Sequence, residues 1–376
     1  MNAVVGAAAA SQGGLAITAE VADERICAVR VFSTRPTNLS RLFIDRPAQE
    51  APLLAERIFS LCGVSHRVVA ARAIASARQE PVCARRNREE AIALTADGLS
   101  AALRANMILA LDGDAARSDL DHIRAVGELL SLLRDLASET EARSAEGSEN
   151  RKKTKALIRN IRALGRDLYA RAAQTGAGPA SRFPFERLES EFAAGDSFTV
   201  GPPDALGDAD DLEIMQRMRT EGASFAAMPS LQGRAPETGA FARRWAQTDF
   251  SKGALAARLQ ARFIDITACF VELERVEKDP PAPRAVSPSP REGFATAETS
   301  RGRLYHWVRL AADERIEDYR IVAPTEWNFH PTGPFVEALL GAAVGRGPAE
   351  RRIGRLAGLL DPCVPFRVEV KEHRRA

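Results

Sequence analysis

Long stretches of helical period fill the middle of this chain, and strand-like alternation is confined to its two ends; that distribution limits its fold more than any other feature. Apolar residues alternate at Leu15, Ile17 and Val21 and again from Ile26 to Val31, with polar Asp23-Glu24 between them, as in a hairpin. Ala51 to Ile74 has helical spacing broken at Cys62-Gly63, and Arg88 to Leu111 predicts a longer helix ended by Asp112-Gly113-Asp114. Asp119 to Ala137 carries Leu120, Ile123, Val126, Leu129, Leu130 and Leu133 on one stripe. Helical spacing resumes over Thr154 to Ala173 and over Ala240 to Glu277, around Phe263, Ile266 and Phe270. Near the other end, Leu304 to Leu310 and Tyr319 to Val322 predict a second hairpin, followed by turn-rich Thr325 to Pro334. Helical patterns then cover Phe335 to Ala343 and Ala349 to Leu360. The expected class is α+β: a central bundle of long helices, with β-rich segments from both termini packed together.

The remaining stretches lack a sustained period. Residues 138–155 are polar and highly charged, and residues 279–292 hold five prolines; both are expected as exposed loops. Thr175 to Gly239, rich in Gly, Pro and Asp, predicts loops and short elements. No internal repeat is evident, and residues 1–376 are expected to form a single domain with a sizeable core.

Composition removes several functions. A formal charge of +2 provides no strong field for nucleic acid or anionic lipid. Met1 to Ala19 lacks the basic-then-apolar pattern of a secretory signal, and no run reaches the roughly 20 apolar residues that span a bilayer. Five cysteines, scattered and odd in number, read as reduced thiols of a cytoplasmic protein. No cluster offers the four close donors of a structural zinc site.

Two cysteine segments at opposite ends make the sequence recognisable. Arg57-Ile58-Phe59-Ser60-Leu61-Cys62-Gly63-Val64-Ser65-His66, preceded by Glu50-Ala51-Pro52, resembles the Arg-Ile-Cys-Gly-x-Cys-x-x-x-His motif of nickel–iron hydrogenase large subunits. Aligned without gaps, Cys62 takes the second cysteine and His66 the histidine, while Phe59 replaces the first cysteine. Asp361-Pro362-Cys363-Val364-Pro365-Phe366 resembles that family's Asp-Pro-Cys-x-x-Cys, with Phe366 in place of the last cysteine. Ser300-Arg301-Gly302-Arg303-Leu304-Tyr305-His306-Trp307 is similar to its Pro-Arg-Gly-x-Leu-x-His segment. Pro324-Thr325-Glu326-Trp327-Asn328, Gly333-Pro334 and Glu337-Ala338-Leu339-Leu340-Gly341 continue the same order.

The resemblance implies a reduced large-subunit-like fold, and the departures imply lost chemistry. Four thiolates hold nickel in that family, two of them bridging to an iron that carries cyanide and carbon monoxide; soft thiolates suit low-valent nickel. Here two remain, and phenylalanine has no lone pair, so Phe59 and Phe366 are expected to fill the nickel position. The family's acidic relay residue falls near Thr37 to Ser40, its N-terminal acid on Gln12 and its terminal histidine on Glu369, with His373 four residues later. The chain ends at Ala376, leaving little for a maturation protease. Hydrogen turnover is therefore not expected.

This pattern resembles HupK-type maturation proteins. What that implies is an accessory protein, not an enzyme, working with the hydrogenase large subunit precursor and Hyp-type maturation proteins, with no nucleic acid or membrane partner. One reading is a scaffold that transiently holds iron, as Fe(CN)2CO, on Cys62 and Cys363, with no nickel. In the family the iron-bridging positions are the second cysteines, so Cys62 fits and Cys363 does not. The other reading is a protein-binding chaperone that mimics the large subunit and holds no metal. Cys62 and Cys363 are candidate thiolates, or else small apolar core residues. His66 is either a ligand or a hydrogen-bond donor to one. Arg301 is expected to donate to cyanide nitrogens, or else to form a structural ion pair. Trp327, His330 and Glu337 are expected to hold the fold; Cys27, Cys83 and Cys269 match no ligand. If the alignment holds, the sulfurs of Cys62 and Cys363 lie close together with Arg301 near both.

Overall fold

The structure, a computed structural model, describes residues 13–34, 39–111, 120–141, 148–170, 185–194, 196–280, 283–344 and 348–372. Gln12, Thr37, Asp112-Gly113-Asp114 and His373 lie outside them.

Strands β1 (Leu15–Ala22) and β2 (Arg25–Ser33) form the expected hairpin. Asp23 and Glu24 both take positive φ (51° and 59°), as a two-residue turn matched to strand twist requires. Helices α1 (Ala51–Ile58) and α2 (Gly63–Ala77) follow, broken at Phe59 to Cys62 as the sequence indicates. The long helices are α3 (Ala84–Leu111), α4 (Leu120–Glu141) and α5 (Ser148–Gly165). Shorter ones come next: α6 (Phe185–Ala193), α7 (Asp211–Thr220), α8 (Ala223–Ala227) and α9 (Ala240–Arg244), leading into long α10 (Ala254–Lys278). Strands β3 (Arg284–Val286), β4 (Glu292–Thr299), β5 (Gly302–Leu310) and β6 (Ile316–Val322) precede α11 (Pro324–Asn328), α12 (Pro334–Leu339), α13 (Ala349–Leu360) and β7 (Phe366–Glu372).

Three expectations need correction. Residues 138–155 are not simply a connection, because α4 runs to Glu141 and α5 begins at Ser148. The charged run keeps a helical face of its own, with Thr154, Ile158 and Ile161 buried and Lys153 paired with Glu139 of α4. Within 279–292, the exposed strand β3 pairs with β4, at a sheet edge where flanking prolines are tolerated. Finally, α3 is long and apolar enough, by length and composition, to cross a bilayer; half of that stretch is buried, and the helix packs on α4 and α10.

The largest core joins α3, α4, α5, α6, α10 and α13 to one face of a three-stranded sheet of order β2-β1-β7. Here the two ends of the chain meet: β7 runs parallel to β1, from Leu15 opposite Phe366 to Val21 opposite Glu372. The second sheet, β3-β4-β5-β6, is covered on both faces. Along β4, Gly293, Ala295 and Ala297 meet Ala70, Ala73 and Ala77 of α2, so helix and strand backbones approach closely. On β5, Leu304, Val308 and Leu310 join that side. Tyr305, Trp307 and Phe294 of β4 turn to the other, where Met215, Met218 and Trp327 receive them. Fully burying one such large side chain stabilises by about 1.5–3 kcal/mol.

Candidate functional site

Cys62 is the residue before the first turn of α2; its carbonyl accepts from the His66 amide at 3.1 Å, and its own amide donates to the Phe59 carbonyl at 2.9 Å. Gly63 is required next, because a Cβ there would lie 2.6 Å from the Glu56 carbonyl oxygen of α1. The α2 N-terminus is capped from another helix. Asp97 of α3 accepts the Ser65 amide at 3.0 Å and the Ser65 hydroxyl at 2.6 Å. A carboxylate there complements the positive end of the helix dipole. Burial nevertheless raises the Asp97 pKa, against the bonds from Ser65 and the charges of Arg104 and Arg301.

Arg301 is aimed by its turn. Gly302 has φ +130° and Gly239 has φ +108°, conformations that favour glycine. A Cβ on either would collide with the other segment, 2.3 Å from Thr238 Oγ1 and 2.8 Å from the Arg301 carbonyl respectively. Thr238 Oγ1 accepts the Arg303 amide at 2.9 Å. The Asn328 side chain of α11 then bonds both the amide and the carbonyl of Thr238, each at 3.0 Å, so α11 locks this loop in place.

The same short helix receives the second cysteine. Helix α13 ends with Asp361 in the left-handed conformation (φ 49°), and Pro362 prevents its continuation. Cys363 follows, its amide donating to Thr325 Oγ1 at 3.3 Å and its Sγ accepting from that hydroxyl at 3.4 Å. Arg301 Nε reaches the Asp361 carboxylate at 3.2 Å and the Asp361 carbonyl at 3.1 Å. Burial works to lower the Arg301 pKa, but Asp361, Cys62, Cys363 and Asp97 outweigh it and raise it. Residues from four distant segments thus share one electrostatic environment around a single guanidinium.

His66 is buried, with Nδ1 3.0 Å from Nε2 of His306 on β5; His306 Nδ1 lies 2.7 Å from the Tyr319 hydroxyl. Phe59 stacks flat on His66 (centroids 3.8 Å apart, 10° between planes), and Phe43 stacks on Tyr319 at 4.3 Å. Burial pushes the His306 pKa down to about 3, so its ring is neutral at physiological pH. Phe366 opens β7 and is half-buried against the large core.

Of the residues singled out in the sequence, Arg301 and Cys363 meet at the end of α13, the first bonded to Asp361 and the second to Thr325. His66 is engaged by His306 and Phe59. Trp327 is core, while Cys27 and Cys83 are exposed and Cys269 is half-buried, its thiol pushed up to about 12 by burial. Sequence reasoning missed Asp97, an isolated acid in a helical pattern, and the hydroxyl of Thr325. Among the described residues, no group of three or more His, Cys, Asp or Glu is arranged to hold a metal ion.

Asp97 carries a testable pH dependence. Its folded pKa is raised above the unfolded value, so its contribution is complete below the ordinary carboxylate range and is lost as pH rises through the folded pKa. The stability advantage of the native protein over Asp97→Asn should therefore shrink from acid to neutral pH in urea unfolding. A constant difference would contradict this.

The nickel-dependent hydrogenase family matches residues 216–368. The hydrogenase expression/formation protein HupK of Rhizobium leguminosarum bv. viciae is 34% identical over 96% of this chain and 97% of its own length. HoxV of Cupriavidus necator, described in the same words, is 30% identical over 91% and 93%. Among solved structures, a [NiFeSe] hydrogenase of Desulfovibrio vulgaris Hildenborough superposes with TM-score 0.67 at 17% identity, covering 91% of this chain and 94% of the other. One from Desulfomicrobium baculatum gives 0.63 at 18%, with the same coverage. The architecture is that of the hydrogenase large subunit, and the chain belongs to the family of hydrogenase expression/formation proteins that includes HupK and HoxV.

Proposed function

We propose that this protein is an accessory factor of hydrogenase maturation that works in the cytoplasm as a scaffold for the Fe(CN)2CO group. The group is cargo, received on Cys62 and Cys363 and passed to the large subunit precursor with the help of Hyp-type maturation proteins. The observation that carries the reading is the position of Arg301, its guanidinium fixed on Asp361 two residues before Cys363, which is itself held on Thr325. Two thiolates at a shared guanidinium favour an anionic iron complex without enclosing it. A guanidinium fork matches cyanide nitrogens as acceptors, and the Thr325 hydroxyl steadies the Cys363 sulfur. Two thiolates are a weaker ligand set than four, which suits a group that must leave again. The donor set does not fit a four-thiolate nickel site, since Phe59 and Phe366 hold the other two positions. His66 is held beside the start of α2 by the bond between its Nδ1 and His306 and by the stacked Phe59 ring.

A metal-free chaperone is the second reading, favoured by an apolar groove of about 350 Å³ between β2, α8 and α11. Phe32 (66% exposed), Met228 (56% exposed) and Phe59 are among its lining residues. Expression with the maturation proteins separates the two. The scaffold reading expects infrared bands of iron-bound cyanide and carbonyl on the purified protein, lost in Cys62→Ala and in Cys363→Ala. Band-free protein that still co-purifies with the large subunit precursor would replace it with the chaperone. Hydrogen-dependent dye reduction by this chain alone would defeat both.

A further inference from the structure

Between α9, α10, the Arg301 turn and the end of α13 lies a small cavity of about 20 Å³, room for roughly one water-sized occupant. Cys62, Cys363 and Thr325 are not among its lining residues, so it lies beside the thiol site and shares Arg301 and Asp361 with it. Three guanidiniums face it: Arg258, Arg262 and Arg301. The nearby carboxylates are already engaged. Glu237 takes both arms of Arg258, Asp361 takes Arg301 Nε, and Asp265 takes Arg243 at 2.7 Å and Arg244 at 3.0 Å.

Arg262 stands apart from this pairing. It is 6% exposed, and among the described residues no carboxylate lies within ion-pair distance of it. Its bond is from Nη1 to the Gly358 carbonyl of α13, at 2.8 Å. Burial pulls its pKa down, and the more distant charges of Asp361 and Asp265 do not undo this. Arginine still keeps its proton in proteins. The second donor is Nη1 of Arg301, which is buried without a hydrogen-bond partner on a side chain 9% exposed. A buried charge left uncompensated is costly, and native structures pair it.

We propose that this cavity binds one small monovalent anion of about chloride size, held between Arg262 and Nη1 of Arg301. A water molecule would satisfy hydrogen bonds there but leave the Arg262 charge unbalanced. Room for about one water-sized occupant favours a small anion over a tetrahedral oxyanion. The bound anion ties α10 and the end of α13 to the Arg301 turn, so halide occupancy steadies the guanidinium that faces the cysteines. The inference rests on Arg262 and Arg301 alone and stands whether or not iron is ever carried.

Thermal unfolding of the full chain in sodium chloride, sodium bromide and sodium gluconate at matched ionic strength tests it. Gluconate is too bulky to enter. The midpoint should be about 2 °C or more higher in either halide than in gluconate. Arg262→Met should erase that difference and be at least as stable as the parent in gluconate. Crystals soaked in bromide should show an anomalous peak between Arg262 and Arg301, a readout that needs no variant. Equal midpoints in all three salts with no bromide peak would mean that the cavity holds water only, and would overturn the proposal.

Discussion

Gly293→Ala should destabilise the protein by about 3 kcal/mol, near the upper end of overpacking costs. A Cβ at this position would fall 1.9 Å from the Ala73 carbonyl oxygen and 2.6 Å from the Ala77 amide nitrogen. Both obstacles are backbone of α2, so no side-chain rotation relieves them. Either β4 must move away from its partners β3 and β5, or α2 must lift off the sheet and open the cluster around Val308 and Tyr319. The midpoint of urea unfolding should fall without a change in slope. A loss under about 0.5 kcal/mol, the size of an ordinary surface substitution, would show that the helix and sheet are not in close contact. The site offers a second readout, since Cys62 immediately precedes α2 and displacing the helix would move that cysteine relative to Arg301.

The second large effect is on acid stability, through His306. Its folded pKa of about 3 lies below the ordinary histidine value of about 6.5. Between those values the unfolded chain binds a proton that the native ring refuses. This contribution to stability is therefore complete above about pH 6.5 and is lost as pH falls toward 3, with a slope approaching about 1.4 kcal/mol per pH unit from this residue. His306→Gln keeps a polar group between His66 and Tyr319 but cannot titrate. It should be less stable than the parent near neutrality, and the gap should narrow steadily as the solution is acidified. Parallel stability curves from pH 7 to 4 would show that His306 is already charged in the native protein or is open to water.

Some of this architecture was legible before any coordinates. The long helices announced themselves because each must bury one stripe of large apolar residues, as α4 does with Val126, Leu129 and Leu133. Strand β4 was not legible, for the opposite reason. Its inward face is Gly293, Ala295 and Ala297, small residues that make no hydrophobic alternation, although they are what lets α2 approach. Strand β7 was hidden too. Phe366, Val368 and Val370 alternate with Arg367, Glu369 and Lys371 over only a few residues, and their meaning comes from a partner some 350 positions earlier. The site divides similarly. Cys62, Cys363 and Arg301 could be read because their neighbours form recognisable strings. Asp97 has no such neighbours, and only the packing of α3 against α2 brings it under Ser65. His306 stood within a recognised string, but its contact with His66 depends on the face of β5 that α2 covers.

The parallel pairing of β7 with β1 also sets an order of events during synthesis. Cys363 stands three residues ahead of a strand that pairs with residues 15–21, so closing this loop spans some 350 residues. Contacts so remote in sequence form late. A nascent or stalled chain would therefore present Cys62 without its counterpart, and capture of any two-thiolate cargo would have to wait until the segment around Cys363 had been made and β7 had docked on β1.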